Sequence, residues 1–167
     1  MESLMTRTDD AAAQADTKDR EIVSTRVFDA NIDLVWQAWS KPDHIRLWWG
    51  PNGFTNTFQH FDFRVGGHWR FTMHGPDGAN YENEIVFLEI APRERLVLDH
   101  VSPPRFRISV TFESLGAKTR VVFRQLFETV ETYRKVKPLA EPGNEQNFDR
   151  FAARLREMGG GRGSLAE

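Results

Sequence analysis

Between residues 21 and 127 apolar and polar positions alternate with a period of two in several runs, and one block between them follows the period of a helix. Over Glu21 to Phe28, Val23, Thr25 and Val27 share one face with Ile22 out of phase, which reads as a first strand buried on the Val23/Val27 side. Ile32, Val35, Trp36 and Trp39 then stand at i, i+3, i+4 and i+7, which predicts a helix over Asn31 to Trp39. Ser40-Lys41-Pro42-Asp43 has the form of a capping box, with Ser40 as N-cap of a second short helix that ends near Trp49-Gly50-Pro51.

From Phe54 to Phe127 the pattern is β throughout. Phe54 to Phe63 forms one strand and Val65-Gly66-Gly67 turns it. Trp69, Phe71 and Met73 then alternate with His68, Arg70, Thr72 and His74. Gly75-Pro76-Asp77-Gly78 is a turn signal, followed by strands over Tyr81 to Ile90 and Arg95 to Val101. Phe106, Ile108, Val110 and Phe112 share the face of the next strand, and Val121, Phe123, Gln125 and Phe127 that of the last. Such short connections imply an antiparallel meander. Thr129 to Lys137 reads as a helical turn stopped by Pro138. After Pro142-Gly143, the spacing of Phe148, Phe151, Leu155 and Met158 predicts an amphipathic final helix.

The order is therefore β-α-α-β6-α, an α+β chain with six or seven antiparallel strands. Only the final helix is available to cover their apolar face. One helix is narrower than such a sheet, so a curved sheet gripping it is expected to leave an apolar hollow beside the seam. Tyr81, Asn83, His100 and Gln125 fall on or near inward phases and need polar partners if buried. Residues 1–18 are polar and read as a flexible leader, residues 19–158 as a single domain, and the glycine-rich residues 159–167 as a flexible tail.

Composition sharpens this picture. Thirteen Phe, five Trp and two Tyr make 12% of the 167 residues, and large rings line ligand cavities as well as cores. The absence of cysteine removes disulfides and thiolate chemistry, so stability rests on packing. A net charge of −2, with 22 basic and 24 acidic residues, offers no field for a polyanion, and nucleic acid is not expected as a partner. No apolar run approaches the roughly 18 residues of a membrane span, so no membrane partner is expected and the cytoplasm is the default location. His44, His60, His68, His74 and His100 form no HxxxH or HxH pair, so neither a metal nor another cofactor is expected. Arg105, Arg107, Arg120 and Arg124 read as an outward basic face balanced by Glu82 and Glu84.

Several short segments, in this order and at these spacings, carry a family resemblance. They are Phe28-Asp29-Ala30 leading into Val35-Trp36, Lys41-Pro42-Asp43-His44, and Trp48-Trp49-Gly50-Pro51. Further along come Gly66-Gly67 before Trp69-Arg70-Phe71, His74-Gly75-Pro76-Asp77-Gly78, Leu88-Glu89-Ile90 with Pro92 and Arg95-Leu96, and Gly143 before the final helix. The chain resembles the START-like or SRPBCC superfamily. Within it, the chain is similar to bacterial proteins resembling the C-terminal domain of the activator of the heat-shock-protein-90 ATPase. The resemblance spans about Glu21 to Met158 and implies the helix-grip fold with a hydrophobic pocket between sheet and C-terminal helix. Relatives of this kind include lipid carriers, polyketide cyclases and toxin-sequestering proteins, and a homodimer is compatible with them. Fold alone does not choose among these roles.

The expected partner is a hydrophobic small molecule, aromatic or lipid-like, bound or sequestered by Trp48, Trp49, Trp69, Phe71, Met73, Tyr81, Phe87, Leu98, His100, Phe123, Phe148, Phe151 and Leu155. The alternative is a cyclase or isomerase acting on a polyketide-like or aromatic substrate, in which Tyr81 or His100 polarises a carbonyl. Such an enzyme needs two titratable groups converging in the cavity, whereas a carrier needs none. A co-chaperone role is a minor alternative, because the eukaryotic activator carries an additional N-terminal docking domain that the short polar leader does not replace.

Overall fold

Seven strands pair in the order β1-β7-β6-β5-β4-β3-β2, every neighbour antiparallel, in a computed structural model that describes residues 17–159. They are β1 (Glu21–Phe28), β2 (Thr55–Phe61), β3 (His68–His74), β4 (Asn80–Ala91), β5 (Arg95–His100), β6 (Phe106–Ser114) and β7 (Thr119–Phe127). Two short helices, α1 (Ile32–Ser40) and α2 (Pro42–Trp48), follow β1, and a long helix α3 (Val130–Glu157) closes the chain. This is the expected helix-grip order. Most of the expected leader and nearly all of the expected tail lie outside the described residues.

Register sets the inner face of the sheet. Partner residues across a ladder point the same way, so Trp69, Ile85, His100, Phe106 and Phe127 form one inward row across five strands. Phe87, Leu98, Ile108, Gln125 and Ile22 form the next. The ladder shifts register between Phe58 and His60 and between Phe87 and Glu89, and such bulges bend a sheet. Gly67 holds the β2–β3 turn tight, because a Cβ there would lie 2.0 Å from the Asp62 carbonyl oxygen.

Three expectations are corrected. In β1 the inward phase holds Ile22, Ser24, Arg26 and Phe28, opposite Gln125, Phe123, Val121 and Thr119, while Val23 and Val27 face water. Pairing with β7 decided the face, and a strand with apolar residues in both phases gave the pattern no way to choose. Ser40 does not cap α2. Its hydroxyl donates to the Trp36 carbonyl at 2.7 Å within α1, and Lys41, held extended before Pro42, separates the helices. Finally, α3 is one helix of 28 residues that runs through Pro138 and Pro142. Both prolines are exposed, so the carbonyls of Arg134 and Pro138 that lose their intrahelical donors can bond to water.

The outer sheet face is ion-paired differently from expectation. Arg105, Arg107, Arg120 and Arg124 lie near Glu128, Asp99, Glu113 and Glu21 respectively. Glu82 and Glu84 instead bond to Thr72 and His68.

Candidate functional site beneath the long helix

Helix α3 starts with Thr129 as N-cap, its hydroxyl accepting from the Thr132 amide at 3.1 Å. The three buried residues of α3, Phe148, Phe151 and Leu155, all lie in its last third. At spacings of three and four they form one stripe, which faces Phe28 and Trp48. Ring centroids lie 4.8 Å apart for Phe28 and Phe151, 5.3 Å for Phe28 and Phe148, and 4.5 Å for Trp48 and Phe151.

Polar bonds fix the helix to the α2 end. Arg150 donates to the carbonyls of Gly50, Pro51, Leu47 and Trp49, and Asn147 Nδ2 donates to the Trp48 carbonyl at 2.6 Å. Burial holds the Arg150 guanidinium below its usual pKa, with no carboxylate opposing the shift. Asn144 Nδ2 donates to Gln125 Oε1 at 2.8 Å, giving the buried glutamine the partner its inward phase requires.

Between these bonds and the sheet lies a hollow bordered by Trp39, Trp48, Trp49, Phe123, Asn144, Asn147 and Phe148. Its volume is about 10 Å³, room for about one water. The gap expected beside the helix is narrow at this point because Trp39, Trp48 and Trp49 pack edge to face there, with centroids 4.9 to 5.9 Å apart. No charged side chain borders it.

Of the residues expected at a ligand site, Trp48, Trp49, Phe123 and Phe148 border this hollow. Trp69, Phe71, Phe87, Leu98, Phe151 and Leu155 are buried in the surrounding core. Met73 is half-buried. Tyr81 has the inward phase, opposite Met73, and at the end of its hairpin it stays 48% exposed and does not border this hollow. His100 lies elsewhere on the inner face. Its ring stacks on Phe106 at 4.4 Å, and its nitrogens meet the Pro104 carbonyl at 3.0 Å and Asn83 Oδ1 at 2.8 Å. Burial lowers its pKa, against the opposing effect of backbone contacts to Pro104 and Ser102. The pattern missed Trp39, read only as part of a helical stripe, and both asparagines. Asn144 stands four residues before Phe148 and seven before Phe151, and a polar residue on an apolar stripe was the available signal.

Among the described residues no group of three His, Asp or Glu side chains is placed to hold a metal ion, and no helix is long and apolar enough to cross a membrane.

Residues 29–156 match the family model described as Activator of Hsp90 ATPase homolog 1-like protein. No curated protein matches the chain. A solution structure of a protein from Arthrobacter aurescens is 25% identical with a TM-score of 0.78, the match covering 90% of this chain and 94% of that one. A crystal structure of a protein from Nitrosomonas europaea is 18% identical with a TM-score of 0.77, covering 84% and 96%. A solution structure of an AHSA1-like protein from Aeromonas hydrophila is 23% identical with a TM-score of 0.68, covering 83% and 94%. The likeness to the last two is one of fold. With the family match running from the end of β1 almost to the end of α3, the chain belongs to the Activator of Hsp90 ATPase homolog 1-like family, within the SRPBCC superfamily.

Proposed function

We propose that the chain binds a hydrophobic small molecule between the sheet and α3, at the hollow walled by Trp39, Trp48, Trp49, Phe123 and Phe148. The observation that carries this reading is the wall itself: five rings and two amides, with no titratable side chain among them. Apolar burial would supply the affinity, at roughly 25 cal/mol per Å². The fold is one associated with hydrophobic ligand binding. A ligand larger than water requires α3 to yield. The stretch of α3 over the hollow begins at Asn144, directly after the part of the helix that contains two prolines and no buried residue.

The same lining speaks against the cyclase reading, which needs two titratable groups in one cavity. Tyr81 is exposed beside Phe54, and His100 bonds to an amide and a backbone carbonyl. The test is a thermal-shift and tryptophan-fluorescence screen of apolar aromatics and lipids. Saturable quenching with a rise in melting temperature is expected. Failure of every apolar compound to do either overturns the reading.

A further inference from the structure

Three indoles border the hollow, and their N–H groups are not treated alike. Trp48 Nε1 donates to the Ala38 carbonyl at 3.0 Å. Trp39 is 2% exposed, and its Nε1 is buried with no acceptor. An unmet buried donor costs on the order of 1–3 kcal/mol, so a native fold that keeps one calls for an explanation. The other walls offer little relief. Trp48, Trp49, Phe123 and Phe148 carry no side-chain acceptor for a strong hydrogen bond, and the side-chain oxygens of Asn144 and Asn147, which could accept, do not bond to the Trp39 N–H.

We infer that the Trp39 indole N–H is the polar anchor of the site and takes the ligand's hydrogen-bond acceptor. This rests on the binding reading above and narrows it to a chemical class. The ligand is an apolar, neutral molecule carrying a carbonyl or ether oxygen. A hydrocarbon leaves the donor unpaired. A carboxylate brings a charge into a lining that holds no cation to meet it.

The experiment uses the full chain with tryptophan indoles labelled with nitrogen-15, titrated with tetralin, 1-tetralone and tetralin-1-carboxylate at pH 7. The ketone is expected to bind about tenfold tighter than the hydrocarbon, the factor that pairing one buried donor provides. The carboxylate is expected to bind no tighter than the hydrocarbon. The Trp39 Nε1–H resonance should move downfield with the ketone and not with tetralin. Trp69 is the internal reference. Its N–H is equally unpaired, but it does not border the hollow, so the difference between the two ligands should be absent there. Trp39→Phe keeps a ring and removes the N–H, and it should bring the ketone-to-hydrocarbon ratio to about one. If the variant does not fold, the wild-type resonance decides alone.

Equal affinity for tetralin and tetralone overturns the anchor and leaves the binding reading standing. A carboxylate that binds tightest overturns the neutral class. Persistent magnetisation transfer from water to the Trp39 N–H with the ketone bound shows a resident water there and overturns the anchor. If none of the three compounds binds, the anchor falls together with this apolar class of ligand.

Discussion

Arg150 Nη1 donates to the Gly50 carbonyl at 2.8 Å, joining the last third of α3 to the segment that leaves α2. The bond is one of four from a single guanidinium. The carbonyls of Leu47, Trp49 and Pro51 also accept from it, where a helix ends and carbonyls lack intrahelical donors. A flat fork with five N–H donors suits this cluster, and a lysine ammonium reaches fewer of its members. Arg150→Met is expected to cost about 2 kcal/mol, the low end for charged hydrogen bonds because the site is half open to water. Arg150→Lys should recover only part. Urea unfolding checks both, and a change within about 0.5 kcal/mol, the range of ordinary surface substitutions, contradicts the anchoring role.

Phe148 is 3% exposed and lies between Phe28 and Phe123 at the edge of the hollow. Phe148→Ala removes a packed ring and should cost about 3–5 kcal/mol. The space it leaves adjoins the hollow, so a small aromatic such as naphthalene should raise the melting temperature of the variant by more than it raises that of the wild type. Equal shifts in the two proteins would separate Phe148 from the site.

Pro138 and Pro142 each remove one helical hydrogen bond on the exposed side of α3. An interior proline costs about 3 kcal/mol relative to alanine, offset by about 1 kcal/mol because proline also restrains the unfolded chain. Replacing either with Ala should therefore stabilise the protein by about 1–2 kcal/mol, read as a rise in melting temperature. A fall would mean that the prolines hold a bend on which the packing of α3 depends.

Burial depresses the His100 pKa below the ordinary 6.5 despite its backbone contacts. The folded state then binds fewer protons than the unfolded state between the two pKa values, so stability falls with acidification. This contribution is intact above about pH 6.5. It is lost progressively as pH drops through that value towards the folded-state pKa. His44, depressed by burial and by Arg154, contributes with the same sign. Stability measured from pH 7.5 to 5 should fall more steeply for the wild type than for His100→Gln. Parallel curves would contradict the assignment.

Much of the fold was legible because the meander uses short turns and clean alternation. Trp69/Phe71 and Ile108/Val110/Phe112 read inward and are buried. What failed were choices made by partners distant in sequence. Val23 and Ile22 are equally apolar, and only the ladder to β7 determines which of them faces water. Pro138 looked like a stop because propensity is local, whereas α3 continues as a single helix through it to the rings at Phe148 and Phe151. The site was half legible. Trp48 and Trp49 stood out by their position, but Trp39 carried no mark separating a wall residue from a core residue. An unpaired N–H appears only once every neighbour is in place.

The most direct test of the account is a crystal of the protein soaked with 1-bromonaphthalene, with the bromine located by its anomalous scattering. Binding beneath α3 predicts a single strong peak among Trp39, Trp49, Phe123 and Phe148, with the helix or a ring displaced to admit it. Bromine found only at the outer face of the sheet, or nowhere in a well-ordered crystal, contradicts the account.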